Sequence, residues 1–157
     1  MADSVRQKIV DAVKTRFQSI TVANGYETNL GNKVFVWRDT GAAPFEESEL
    51  PAVVLFDAKD EIVQQLSRIQ HHKLLMVADV VTDDATQSTQ IRKLVADIYK
   101  AIGVDIYWTV ESVRLAFDTD PMQDEFDVRQ EERVIASARV QFTIQYRTLS
   151  WNPYTQN

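Results

Sequence analysis

From Val134 to Tyr146 every even position is apolar: Val134, Ala136, Ala138, Val140, Phe142, Ile144 and Tyr146. The residues between them, Ser137, Arg139, Gln141, Thr143 and Gln145, are polar, with Ile135 the exception. Period-two alternation predicts a strand with one face on the core and the other toward water or a partner. At about 3.4 Å per residue, such a strand extends roughly 40 Å, the width of a whole small domain. Leu74 to Val81 (LLMVADVV) is apolar at both parities and predicts a central strand covered on two sides. It lies within an extended region from Ile62 to Thr82 and can begin near Arg68. Ala52 to Asp57 (AVVLFD), with Pro51 suited to its start, Val34 to Arg38 and Val110 to Phe117 read as further strands.

Helical spacing appears twice. Val5, Ile9, Val13 and Phe17 recur every four residues, widened by Val10, Ala12 and Ile20, behind a cap at Asp3 or Ser4. Arg6, Lys8, Lys14 and Arg16 occupy the other face. Ile91, Leu94, Val95, Ile98 and Ile102 form the second stripe, with Asp83 or Asp84 as its cap and Gly103 as a left-handed terminator. Asn24-Gly25 and Gly31-Asn32 mark a loop tolerant of positive φ, and Asp39 to Glu49 predicts an exposed loop. Two helices cover only one face of such a sheet. The expected architecture is a two-layer α+β domain over residues 1–157, with a mixed, mostly antiparallel sheet. The tail from Thr148 is expected either to be loose or to dock on a neighbour.

Charge adds one feature. Asp118 to Glu132 holds seven acids and one base, Arg129, which is the whole net charge of -6; the other 142 residues balance at sixteen of each sign. The segment reads first as a solvated acidic loop. The sharper readings are a contact surface for a basic partner or a wall that repels phosphate. The acidic balance also argues against general nucleic-acid binding. The absence of cysteine excludes a disulfide framework and a thiolate site. No apolar run approaches the ~20 residues that span a bilayer, and the N-terminus opens on a helix pattern, so a soluble cytoplasmic chain is expected.

Candidate chemistry is sparse. The four glycines, at 25, 31, 41 and 103, are too dispersed for a phosphate or dinucleotide loop. His71 and His72 point to opposite faces of a strand and cannot converge on one ion; Ile69, Lys73 and Leu74 nearby offer no orienting group. Asp118, Asp120 and Asp124 suggest a calcium loop by composition, but Met122 and Gln123 stand where that loop needs a ligand and a glycine. Paired carboxylates are abundant without a motif that selects any of them. Tyr107, Trp108, Trp151 and Tyr154 lie in or near loops with no basic stripe beside them, so core packing or an inter-subunit contact is the expected use. Neither a catalytic residue, a cofactor nor a metal is expected.

The helix DSVRQKIVDAVKTRF, the strand VFVWRD and the segment FEESELPAVVLFDAKDEI follow one another in the N-terminal half. They are succeeded by the strand end MVADVVTDD, the helix TQIRKLVADIYKAIG and the late strand VQFTIQYRT. This layout, with its arginine, acidic loop and Leu-Pro, resembles the tail-terminator or tail-completion proteins of long-tailed bacteriophages across most of the chain. The resemblance implies an antiparallel sheet flanked by helices and a non-enzymatic virion protein. It also implies a hexameric ring at the head-proximal end of the tail tube, which stops tube polymerisation and receives the head. The implied partners are copies of itself, the tail tube protein and a head-completion or connector protein. DNA would pass through the lumen without sequence-specific binding, and assembly would occur in the host cytoplasm. Arg133, Arg139 and Arg147 are then candidate interface residues, set against a neighbour's Asp118, Asp120, Asp124, Glu125 and Asp127. The rival placement turns those acids to the lumen. Another head-tail connector or tail subunit, a small acidic-site hydrolase and a ligand-binding module stand as alternatives.

Overall fold

The computed structural model describes residues 2–38, 45–83, 88–130 and 134–157. It is a two-layer α+β domain: helices α1 (Val5–Gln18) and α2 (Ser88–Gly103) pack on one face of a mixed sheet. The sheet runs in the order β1 (Val34–Val36), β2 (Ala52–Leu66), β3 (Ile69–Thr82), β7 (Val134–Leu149), β6 (Asp118–Gln130). Among the described residues only the β1–β2 contact is parallel; β2, β3, β7 and β6 alternate in direction. A two-stranded ribbon, β4 (Thr109–Val110) with β5 (Val113–Arg114), stands apart, and β8 (Asn152–Gln156) folds back on the end of β7.

The core forms where two periodicities meet. On β7 the even residues from Ala138 to Tyr146 are buried, as are Leu74, Met76, Ala78 and Val80 on β3. Against them lie Val5, Ile9, Val13 and Phe17 of α1, and Leu94, Ile98 and Ala101 of α2. Ser4 caps α1 by accepting from the amide of Gln7 at 3.1 Å. Asp97, facing inward from α2, accepts from the amides of Glu27 and Thr28 and from the Thr28 hydroxyl, and so pins the loop after α1 to the second helix. Gly25 takes the left-handed conformation its loop needs (φ 86°). Gly31 serves by closeness instead: a Cβ there would stand 2.4 Å from the carbonyl oxygen of Gln18.

Several expectations are corrected. From Asp118 to Gln130 the acidic segment is not a loop but strand β6, hydrogen-bonded along β7, and residues 131–133 lie outside the described residues. Ile62 to Leu66 belongs to β2, which continues nine residues beyond Asp57 and turns at Ser67-Arg68 into β3. Val110 to Phe117 is a short hairpin instead of one strand, because Glu111 and Ser112 both take positive φ and reverse the chain. Gly103 ends α2 without entering the left-handed region. The cap expected at Asp83 or Asp84 adjoins residues 84–87, which lie outside the described residues. In the segment from Asp39, residues 39–44 also lie outside them, whereas Phe45 is buried and Glu49 receives both ends of the Arg38 guanidinium at 2.8 and 3.1 Å. That hydrogen bond, helped by the Glu46 amide, holds the Glu49 carboxyl down to about 2. The tail from Thr148 is ordered as the end of β7 and as β8. Central β3 is covered by helices on one side; on the other Val77 is buried and Val81 packs against Phe45, Ala52 and Val54, while Leu75 and Asp79 are half-buried.

Candidate interaction surface

The sheet face turned away from the helices carries the odd residues of β7 and their register partners. Arg139 donates through Nε and NH2 to the two carboxylate oxygens of Asp79 on β3, both at 2.8 Å. Its partner on the opposite flank is Glu125 of β6. The Asp79 hydrogen bonds, with charge attraction to Asp79 and Glu125, raise the guanidinium pKa further above its ordinary value. Along the same face Gln123 donates to Glu125 at 3.0 Å, and Gln145 donates to Asp120 at 2.9 Å. His71 Nε2 lies 3.0 Å from the other end of the Gln145 amide. Arg147 stacks over the Phe117 ring at 4.6 Å, and His71 meets that ring at 4.7 Å. The result is a polar lattice across three strands, with Leu75 and Val77 between its rows.

This face brings together most of the sequence-derived interface residues, but in one chain. Asp120 and Glu125 share it with Arg139, so the arginine already has its acids without a neighbour. Asp118 and Asp127 pair in register with Gln145 and Ser137 on the same side. Asp124 points to the helix side, where the Tyr99 hydroxyl reaches it at 3.5 Å. Burial and that carboxylate push the Tyr99 pKa up. Arg133 lies outside the described residues.

A polar cluster that sequence spacing does not show sits on the helix side, at the end of the sheet beyond Leu74. His72 approaches Asp60 through Nδ1 at 3.3 Å and the Thr148 hydroxyl through Nε2 at 2.9 Å. The Tyr146 ring stacks on the imidazole at 4.5 Å, and its hydroxyl donates to the second oxygen of Asp60 at 2.5 Å. Burial, then the bond to Asp60, pushes the Tyr146 pKa far above its usual range. The expectation that His72 lacks an orienting group is therefore wrong: Asp60 supplies it from across the hairpin. Carboxylate, imidazole and hydroxyl in a row are the parts of an activated nucleophile, yet Thr148 is only 2% exposed. A hydroxyl sealed from substrate cannot attack one, and the cluster acts as a fastener joining β2, β3 and β7.

Next to it, Arg6 of α1 donates to the carboxylate of Asp57 at 2.6 Å and to its carbonyl at 3.1 Å, and the Trp37 indole donates to the same carboxylate. Arg16 is likewise drawn inward, over the Trp108 ring at 5.0 Å and onto the Ala101 carbonyl at 3.1 Å. Trp108 is buried and donates to Thr119, as its core reading expects, whereas Trp151 is 85% exposed at the β7–β8 turn. A cleft of about 680 Å³ lies between α1 and the β4–β5 turn, with Ala12, Val110, Val113 and Leu115 as its apolar lining and Lys8 and Glu111 at its rim. Among the described residues no three His, Asp or Glu side chains converge as a metal site, and no helix is long and apolar enough to cross a membrane. No protein-family model and no curated protein sequence matches the chain.

Proposed function

We propose that this chain is a structural protein of the tail-terminator kind. Its copies form a ring at the head-proximal end of a phage tail tube, end tube growth there and present the surface that receives the head. The observation that carries the reading is the broad, mostly antiparallel sheet with its described helices on one face and, on the other, a polar lattice along β3, β7 and β6 beside a small apolar cluster of Phe45, Ala52 and Val54. That is also the fold the layout resemblance implies. A ring subunit must offer different surfaces to its two neighbours, and a half-covered sheet supplies area for them. In this reading the protein performs no chemistry and resides in the virion tail after assembling in the host cytoplasm. Its partners are the tube protein and a head-side connector protein.

The test uses tube protein from the same virus, polymerised in vitro. Added protein is expected to stop elongation at one end and to leave annular density there in negative stain. Unchanged elongation with bare tube ends would overturn the reading.

A further inference from the structure

We infer that copies of this chain join edge to edge, the free edge of β2 in one copy pairing antiparallel with the free edge of β6 in the next. The inference deepens the ring reading and rests on it for closure, while the pairing itself follows from the sheet.

β1 covers β2 only from Val53 to Leu55, so from Asp57 to Leu66 no described strand lies on that side. β6 closes the other end of the order, and no described strand lies on its outer edge. The two edges stand at opposite ends of the sheet, and the alternation of directions makes β2 and β6 antiparallel. Setting a second copy beside the first therefore continues the sheet in the antiparallel sense. Unpaired strand edges are templates for such addition unless something blocks them.

The side chains favour this pairing over others. The end of β2 reads IVQQL, uncharged, with Ile62 and Leu66 51% and 55% exposed. On β6, Met122 and Phe126 are 54% and 52% exposed. From Asp57 to Leu66 the β2 edge carries Lys59 against Asp57, Asp60 and Glu61, with Lys59 ion-paired to Glu61 at 3.3 Å, and Arg68 in the turn and Lys73 on β3 are exposed beside it. Residues 118–127 of β6 carry five acids and no base. Like charges directly opposite destabilise strand pairing, so β6 rejects another β6 and suits the uncharged end of β2 from Ile62 to Leu66, flanked by Arg68. Both edges are also bulged, β2 between Ile62 and Gln64 and β6 between Pro121 and Gln123. With a further break in β2 between Asp57 and Lys59 and Pro121 on β6, pairing is confined to the stretches beyond the breaks, Gln64 to Leu66 on β2 and Gln123 to Asp127 on β6. Because the two edges differ, the contact is head-to-tail and leaves each copy able to bind two neighbours.

The experiment is light scattering after size exclusion, from micromolar to near-millimolar protein, with two variants. Val63→Pro disables the β2 edge; Val63 sits in the bulge without a β3 partner, so the hairpin ladder is kept. Phe126→Lys disables the β6 edge at an exposed position. Wild type is expected to grow with concentration in multiples of 18.0 kDa. Each variant alone, with wild-type circular dichroism, is expected to stay at one copy, and their mixture to stop at two, since one intact edge of each kind remains. A wild type that is monomeric throughout, or a variant that assembles like wild type, would overturn the inference. So would Phe126→Lys dimerising alone, which would mean that β2 pairs with β2. Edge variants that still cap tubes normally would sink edge pairing and leave the tail reading standing. Edge-dependent assembly that ignores tubes would do the reverse.

Discussion

His71 and His72 are neighbours in sequence and lie on opposite faces of one strand, and their surroundings differ as the two faces of the sheet differ. His72 is buried, with both ring nitrogens engaged and the Tyr146 ring stacked on it. His71 is half-buried, with its Nε2 on Gln145 and its ring edge on Phe117. The same contrast runs down β7. Val140, Phe142 and Ile144 are fully buried under the helices, whereas Arg139, Gln141 and Gln145 form a lattice of charges and amides reachable by water. Burial stabilises in proportion to apolar area removed from water, about 25 cal/mol per Å². Hydrogen bonds and ion pairs that water can replace contribute far less each. The helix face therefore holds the fold, and the open face is free to be shaped for contact.

Substitutions can break that contrast or sharpen it. The largest effect is expected from Phe142→Ala, which empties a site between Phe17 and Trp108, whose rings stand 6.4 and 6.3 Å away. It should destabilise by about 3–5 kcal/mol in urea unfolding. Asp60→Ala comes next, since it strips the acceptor from the Tyr146 hydroxyl and from His72. A loss of about 1–3 kcal/mol is expected, and a cycle with Tyr146→Phe should show clear coupling between the two sites. Arg139→Ala on the open face should cost at most about 1 kcal/mol and lose that effect in salt. If Arg139→Ala cost as much as Phe142→Ala, the two faces would share the stability and the contrast would fail.

Much of the helix face was legible because its signals are local and repeated. The even residues of β7 and the stripes of α1 and α2 each place many apolar groups on one side, and no tertiary contact is needed to count them. The acidic strand was not legible. Pro121 and five acids within residues 118–127 argue against a strand by propensity; β6 forms because the edge of β7 offers it a ladder. The extension of β2 was hidden for a related reason. Lys59 to Gln65 is largely polar, and its turn at Ser67-Arg68 lacks the Asn-Gly or Gly pair that normally announces a hairpin.

By itself, then, the sequence determined the class of the domain, the side of each long strand that faces the core, and the opposite facing of the two histidines. These follow from the periods of helix and strand, which are properties of the backbone alone. Only the tertiary structure decided which side chains meet. Asp60 reaches His72 across a hairpin, Asp79 reaches Arg139 across sixty residues, and Asp97 reaches the loop after α1 across about seventy. Those contacts depend on strand register and on helix placement, where a shift of one residue turns every side chain to the other face. The same register decided that the candidate interface acids divide between the two faces, with Asp124 on the helix side and Asp120 and Glu125 on the open one.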